Sequence, residues 1–189
     1  MEATASSAAQ KNWKNLSLVQ ANRTPPEARP ARVHFTLEGS ILVASFEVLA
    51  PKIFAKNPLP PGEFPYEYDV VEVFFAVNGS QDNYPYYEFE VSPYNQTFEV
   101  LVELRNGEKH FSYSMDYGIS SSVAMTAQGW NAEMRIPLTN LPWTGKPSDI
   151  VGNAFTILGE GDDRAYWSLS LPPQAVANFH HPEFFKPLF

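Results

Sequence analysis

Glu72 lies in the middle of a strongly β-prone run, Pro65-Tyr-Glu-Tyr-Asp-Val-Val-Glu-Val-Phe-Phe-Ala-Val77, and is the first residue here with chemistry to offer. Side chains alternate along a strand, so Glu72 shares a face with Val70, Phe74 and Ala76, while Val71, Val73, Phe75 and Val77 share the other. A carboxylate on an otherwise apolar face needs a partner. That partner is either a structural hydrogen bond or ion pair, or a ligand on a polar, concave surface. Asp69 opens the strand, and the aromatic Tyr66 precedes it. An aromatic ring beside strand-borne carboxylates suits sugars: the ring covers apolar C–H faces, and charged oxygens accept hydroxyl protons.

Other residues carry two readings each. Glu88 and Glu90 share a strand face with Tyr86, either as a solvated outer face or as polar anchors for a ligand. Asp162 and Asp163 fall in the acidic turn Gly159-Glu-Gly-Asp-Asp163, where acids serve the turn itself and where calcium ligation is the alternative. Trp130 and Trp167 lie on alternating faces and read as core, each indole needing a partner if buried. The histidines are His34, His110 and the adjacent pair His180 and His181. Neighbours on an extended segment point to opposite sides, which makes that pair a poor metal site. No Gly-rich phosphate loop, nucleophile elbow or His-Glu-X-X-His motif is present. A glycosidase needs two carboxylates opposed across a cleft at roughly 5–9.5 Å, an arrangement that Glu72 and Glu90 could imitate only by accident. No catalytic constellation emerges, and the expectation is a protein that is not an enzyme.

These residues must be positioned by strands, because period-two patterns recur along the chain and helical ones do not. Val33–Leu37 and Ile41–Leu49 flank Glu38-Gly-Ser40 as a hairpin. Residues 57–65 hold four prolines and a glycine, a loop that delivers the chain to Asp69. Alternation continues through Tyr86–Ser92, Thr97–Leu104 and Trp130–Ile136, then Ala154–Leu158 and Ala165–Leu171. Pro93-Tyr-Asn-Gln96 and Arg105-Asn-Gly-Glu108 are turns, the Asn-Gly pair being a strong hairpin signal. About ten short strands separated by turns argue for an all-β, antiparallel two-sheet sandwich of immunoglobulin-like or jelly-roll-like type. No internal repeat or linker divides the chain, so residues 13–189 read as one domain behind a flexible lead, 1–12.

Composition excludes several functions. The chain has 189 residues, 44% hydrophobic and 14% aromatic, enough for a sizeable core. Net charge is -8, and no basic stripe is present to track phosphates, so nucleic acid is not an expected partner. No apolar run approaches the length needed to cross a bilayer. Cysteine is absent, which removes disulfides, thiolate metal sites and a Cys nucleophile. The first ten residues lack the basic and apolar regions of a signal peptide. Asn-X-Ser/Thr triplets begin at Asn15, Asn22, Asn78 and Asn95; they matter only in a eukaryotic secretory route.

The chain resembles the family 9 carbohydrate-binding modules. Four segments in order carry the resemblance: Pro65-Tyr-Glu-Tyr-Asp-Val-Val-Glu-Val-Phe-Phe75, Tyr86-Tyr-Glu-Phe-Glu-Val-Ser-Pro93, Gly129-Trp-Asn-Ala-Glu-Met-Arg-Ile-Pro-Leu138 and Phe179-His-His-Pro-Glu-Phe-Phe185. Gly152-Asn-Ala-Phe-Thr-Ile157 and Ala165-Tyr-Trp-Ser168 also fit. The resemblance implies a β-sandwich that holds sugar chain ends between two aromatic side chains, here Tyr66 and Phe179, both in places where well-studied members carry Trp. It implies Glu72 as the carboxylate accepting sugar hydroxyls. The place of a donor Arg is taken by Glu90, which reverses the charge. Structural calcium is also implied, with oxygen ligands available at Glu160, Asp162 and Asp163. So are a secreted, periplasmic or cell-surface location, with a signal already removed, and attachment to a larger enzyme.

Three readings of function follow. One is non-catalytic carbohydrate binding of glycan ends or short oligosaccharides by Tyr66, Glu72, Glu90 and Phe179. Another is a haem-binding electron-transfer sandwich, with axial ligands from Met115, Met125, Met134 or a histidine. The third is a structural or adhesion domain with a degenerate sugar site.

Overall fold

The computed structural model describes residues 12–24, 30–78, 81–113 and 115–189; the lead expected over residues 1–12 falls, apart from residue 12, outside them. The strands are β1 (Lys14–Asn15), β2 (Ser17–Leu18), β3 (Ala31–Glu38), β4 (Ile41–Leu49), β5 (Val70–Ala76), β6 (Tyr86–Val91) and β7 (Thr97–Arg105). They continue with β8 (Glu108–Ser112), β9 (Ser120–Thr126), β10 (Gly129–Pro137), β11 (Val151–Leu158), β12 (Ala165–Ser168) and β13 (Lys186–Pro187). No α-helix occurs among the described residues, only single 3-10 turns such as Pro65–Glu67. The smaller sheet runs β1-β3-β4-β10-β9 and the larger β2-β12-β11-β5-β6-β7-β8, with β13 added beside β11; the strands pair antiparallel throughout. The protein is thus the expected antiparallel sandwich, with three two-residue strands beyond those that alternation shows.

The turns form where the residue types allow. Asn106 and Gly107 both take positive φ, at 54° and 82°, which closes the β7–β8 hairpin in the sense that matches strand twist. Asn95 at φ 61° turns β6 into β7, and the Ser92 hydroxyl accepts the amide of Gln96. Most strand boundaries shift by one to three residues from the sequence reading, and two differences have a clear local cause. β12 stops at Ser168 because the Asn153 side-chain oxygen captures both the Ser168 hydroxyl and the Ser170 amide. β9 is an exposed edge strand, Ser-Ser-Ser-Val-Ala-Met-Thr, whose apolar alternation is too sparse to show in the sequence.

The core lies between the sheets. Phe46, Trp130 and Met134 from the smaller sheet meet Val73, Phe75 and Phe89 from the larger, all at most 1% exposed. The larger sheet is also covered on its other face. There Val70, Phe74, Tyr86, Val102 and Phe155 pack against Leu171, Phe179 and Phe185 of the C-terminal segment. Every residue of β5 is therefore buried, which accounts for its near-continuous apolar character. This second, outer face carries the site.

Candidate functional site

Strand register brings the acids together. Glu72 on β5 sits opposite Glu90 on β6, and Phe74 opposite Glu88; on the next strand Glu90 faces Phe98. Cross-strand partners point to the same side of a sheet, so Glu72, Glu88, Glu90 and Phe98 all project from the outer face. Toward the other edge, Glu72 is paired with Phe155, and Ile157 with Tyr166. A cavity of about 360 Å³ opens over this row, with the three glutamates, Tyr66, Phe98, Tyr113, Tyr166, Phe179 and His180 among its lining residues. Tyr66, Glu72, Glu90 and Phe179, from three separate stretches of the sequence, thus border one concave site.

The aromatic walls are braced by other rings. Tyr66 is 37% exposed and stacks on Phe64 at 5.3 Å between centroids, with Phe98 tilted against it at 6.0 Å. Phe179 lies parallel on Phe155 at 4.3 Å and meets the edge of Tyr166 at 5.9 Å. Arg164 links the two sides: its guanidinium donates to the carbonyls of Tyr66 at 2.5 Å and Glu67 at 2.8 Å, and to the Tyr166 hydroxyl at 3.0 Å. Asp69 is structural. Buried completely, it accepts the amides of Phe54 and Gly159 and fixes the start of β5.

Glu88 and Glu90 do not form the solvated face that their alternation suggests. Glu72, Glu88 and Glu90 are 2%, 5% and 0% exposed, because the segment carrying Phe179 and His180 closes over them. One oxygen from each lies within 4.8 Å of the others. Glu72 Oε1, Glu88 Oε2 and both oxygens of Glu90 meet no well-formed donor from another side-chain type, although Glu88 and Glu90 lie close enough to share a proton and Glu90 lies near the Tyr66 amide. Loss of solvation pushes Glu72 well above the usual carboxylate range, with the Glu88 charge adding to it. Burial does the same to Glu90, reinforced by Glu72 and Glu88, and holds Glu88 up to about 7. The cluster therefore retains protons that solvated carboxylates would have lost.

His180 is seated against Tyr86. Burial, then the charges of Lys109 and His181, draw the imidazole down to about 4, so it is neutral and the Tyr86 hydroxyl donates to Nδ1 at 2.8 Å. The same nitrogen is 3.9 Å from Glu88 Oε2, beyond hydrogen-bond reach.

The calcium ligands expected at Glu160, Asp162 and Asp163 do not converge. Among the described residues, the acidic group whose oxygens come together is Glu72, Glu88 and Glu90, whereas Glu160 points to Lys52 at 3.6 Å on the surface. The turn places Gly159 and Gly161 at positive φ. The haem ligands are also dispersed. Met134 is packed in the inter-sheet core, Met125 is 51% exposed, and His180 lies beyond the opposite face of the larger sheet. Sequence reasoning missed Phe98, Tyr113 and Tyr166 as walls and His180 as the prop of the C-terminal segment. Parity with Glu90 marks Phe98 once β6 and β7 are paired; nothing local marks the others.

No family model matches the chain. It is similar to an extracellular protein of Arthroderma benhamiae, with 26% identity over 137 residues, 65% of this chain and 61% of that one; the chain thus spans less than two thirds of that relative's length. Among solved structures it is similar to a Bacteroides uniformis protein for which carbohydrate binding has been inferred, with a TM-score of 0.72 and 16% identity, covering 93% of this chain and 84% of the other. It is also similar to a family 9 carbohydrate-binding module of Caldicellulosiruptor kristjanssonii in complex with cellotriose, with a TM-score of 0.60 and 16% identity over 93% of this chain and 80% of that one. At such identity the likeness speaks for the backbone: the chain has the β-sandwich fold of the family 9 carbohydrate-binding modules.

Proposed function

We propose that the chain is a non-catalytic carbohydrate-binding module, taking a glycan end or short oligosaccharide into the cavity between Tyr66 and Phe179. The observation that carries this reading is that Tyr66 and Glu72 from one segment, Glu90 from the next strand and Phe179 from the C-terminal region line one cavity of about 360 Å³. Its size suits a sugar unit with its neighbours reaching solvent. The rings would cover the apolar faces of the pyranose, and the carboxyl groups would bond its hydroxyls. The solved module with cellotriose supports the same ligand class.

A binding role is favoured over hydrolysis by the placement of the acids. Glycosidase carboxylates flank the scissile bond from two sides; these three gather on one floor, with oxygens within 4.8 Å. A secreted setting is supported by the extracellular relative. Among the described residues, no helix is long and apolar enough to cross a membrane.

Calorimetric titration with a panel of oligosaccharides tests the reading. Saturable binding to at least one, weakened by Tyr66→Ala and by Phe179→Ala without unfolding, is the expected result. No heat with any sugar, or affinity indifferent to both substitutions, would overturn it.

A further inference from the structure

The reading of the cavity as a sugar site leaves its floor unexplained. Neutral sugars offer hydroxyl donors but no charge to offset three crowded carboxyl groups. Where a forked cationic donor would answer a sugar, this chain presents Glu90, and the residues lining the cavity include neither Lys nor Arg. Nearby cations are engaged elsewhere. The Arg164 guanidinium is bonded to two carbonyls and a hydroxyl, Lys109 donates to the His180 carbonyl, and His180 is neutral. Glu88 and Glu90 can share a proton, yet among the oxygens of the three buried glutamates four, from Glu72, Glu88 and Glu90, meet no well-formed donor from another side-chain type. Orphaned buried carboxyl groups of this kind are expensive unless a ligand completes them.

We propose that the Glu72, Glu88 and Glu90 floor selects a sugar bearing a primary ammonium group, such as a glucosamine unit of a de-N-acetylated glycan. This specificity rests on the sugar-binding reading above. An ammonium has three N–H donors at tetrahedral angles. With N···O contacts of about 2.8 Å, the three acceptor oxygens stand roughly 4.6 Å apart. The glutamates each place an oxygen within 4.8 Å of the others. The aromatic walls are suited to a cation carried on an apolar ring, since their faces are electron-rich.

A bare divalent cation fits less well. Calcium asks for six to eight oxygens, and the other walls are dominated by Phe74, Phe98, Phe111, Ile157 and Phe179. The volume also exceeds that of an ion and leaves room for a ring. Protons held on the cluster do not obstruct the ligand, because an arriving neutral amine can take one: the carboxyl O–H bond breaks, the N–H bond forms, and an ion pair results. An N-acetyl group would remove both the charge and two donors.

The test is calorimetric titration near neutral pH with the glucosamine trimer, the N-acetylglucosamine trimer, cellotriose and calcium chloride alone, using the wild-type chain with Glu88→Gln and Glu90→Gln. The expected result is a glucosamine trimer bound about tenfold or more tighter than the neutral trimers, with the preference lost in the Gln variants. Equal or tighter binding of a neutral trimer would overturn the ammonium selectivity and leave the sugar-binding reading standing. Binding of none of the sugars would overturn both. Calcium uptake that the Gln variants abolish would overturn the proposal in favour of a metal, and an amino-sugar preference unaffected by either variant would place recognition elsewhere. If the variants do not fold, the wild-type order of affinities alone decides.

Discussion

Glu72 and Glu90 face each other directly across antiparallel strands, both buried, and both oxygens of Glu90 and one oxygen of Glu72 lack a donor from any other side-chain type. Like charges opposite one another destabilise a sheet. The two acids are tolerated because burial keeps protons on the cluster, and that has a measurable consequence for stability.

Glu88 is held at about 7 against an ordinary 4.5, so between these values the native state binds a proton that the unfolded chain has released. Its contribution is fully present below pH 4.5 and is lost as pH rises through about 7. At about 1.4 kcal/mol per unit, the loss is about 3 kcal/mol. Glu72 and Glu90, also raised, act with the same sign. Urea unfolding without ligand at about pH 5 and about pH 8 should show the lower pH to be the more stable, with Glu88→Gln flattening part of the difference. A stability that climbs over this window would contradict the buried, protonated cluster.

Tyr66→Ala should weaken glycan binding by about 1–2 kcal/mol while changing stability little, because the ring is partly exposed and contributes chiefly a stacking surface. Arg164→Ala should weaken binding through the same wall, since it frees the carbonyls of Tyr66 and Glu67. Titration of the two single variants and the double variant checks this coupling. Losses that simply add would mean that Arg164 does not act through Tyr66.

Gly152 tests the packing that supports the site. A Cβ there would stand 2.5 Å from the Phe74 carbonyl oxygen and 2.8 Å from the Phe75 Cβ, between β11 and β5. Gly152→Ala should therefore destabilise the protein by about 3 kcal/mol, which chemical denaturation will read. Because Phe74 borders the cavity, some affinity should be lost as well.

The strands of this fold are legible because alternation shows wherever one sheet face is buried and the other is not. β5 is visible for a different reason: its continuous apolar run reports a sheet covered on both faces. Glu72 is conspicuous there as the single charge. Glu88 misleads, because alternation of Glu and aromatic residues on β6 looks like a solvated face until the C-terminal segment is placed over it. That segment has no period of its own. Its position depends on contacts with residues some seventy to a hundred positions away, such as Tyr86 with His180 and Asn83 with Pro182. Glu160, Asp162 and Asp163 are close in sequence, but the acids whose oxygens come together are Glu72, Glu88 and Glu90, and proximity along the chain is not convergence.

The contact between Tyr86 and His180 determines how firmly that covering segment is held. Tyr86 is fully buried, and its hydroxyl donates to a neutral imidazole whose ring also packs on Phe74 at 5.4 Å and Phe111 at 4.9 Å. Tyr86→Phe removes the donor and strands the His180 nitrogen, which should cost about 1–2 kcal/mol of stability. The effect on binding should be larger than a remote core change of equal cost would produce, because Phe179 and Asn178, both lining the cavity, adjoin His180. Amide exchange over residues 177–181 should accelerate more than exchange in β4 or β10, which belong to the other sheet. Adding His180→Phe should recover part of the lost stability, since two apolar partners leave no orphaned polar atom. Uniform acceleration of exchange across both sheets would instead show that Tyr86 supports the whole sandwich rather than the segment over the glutamates.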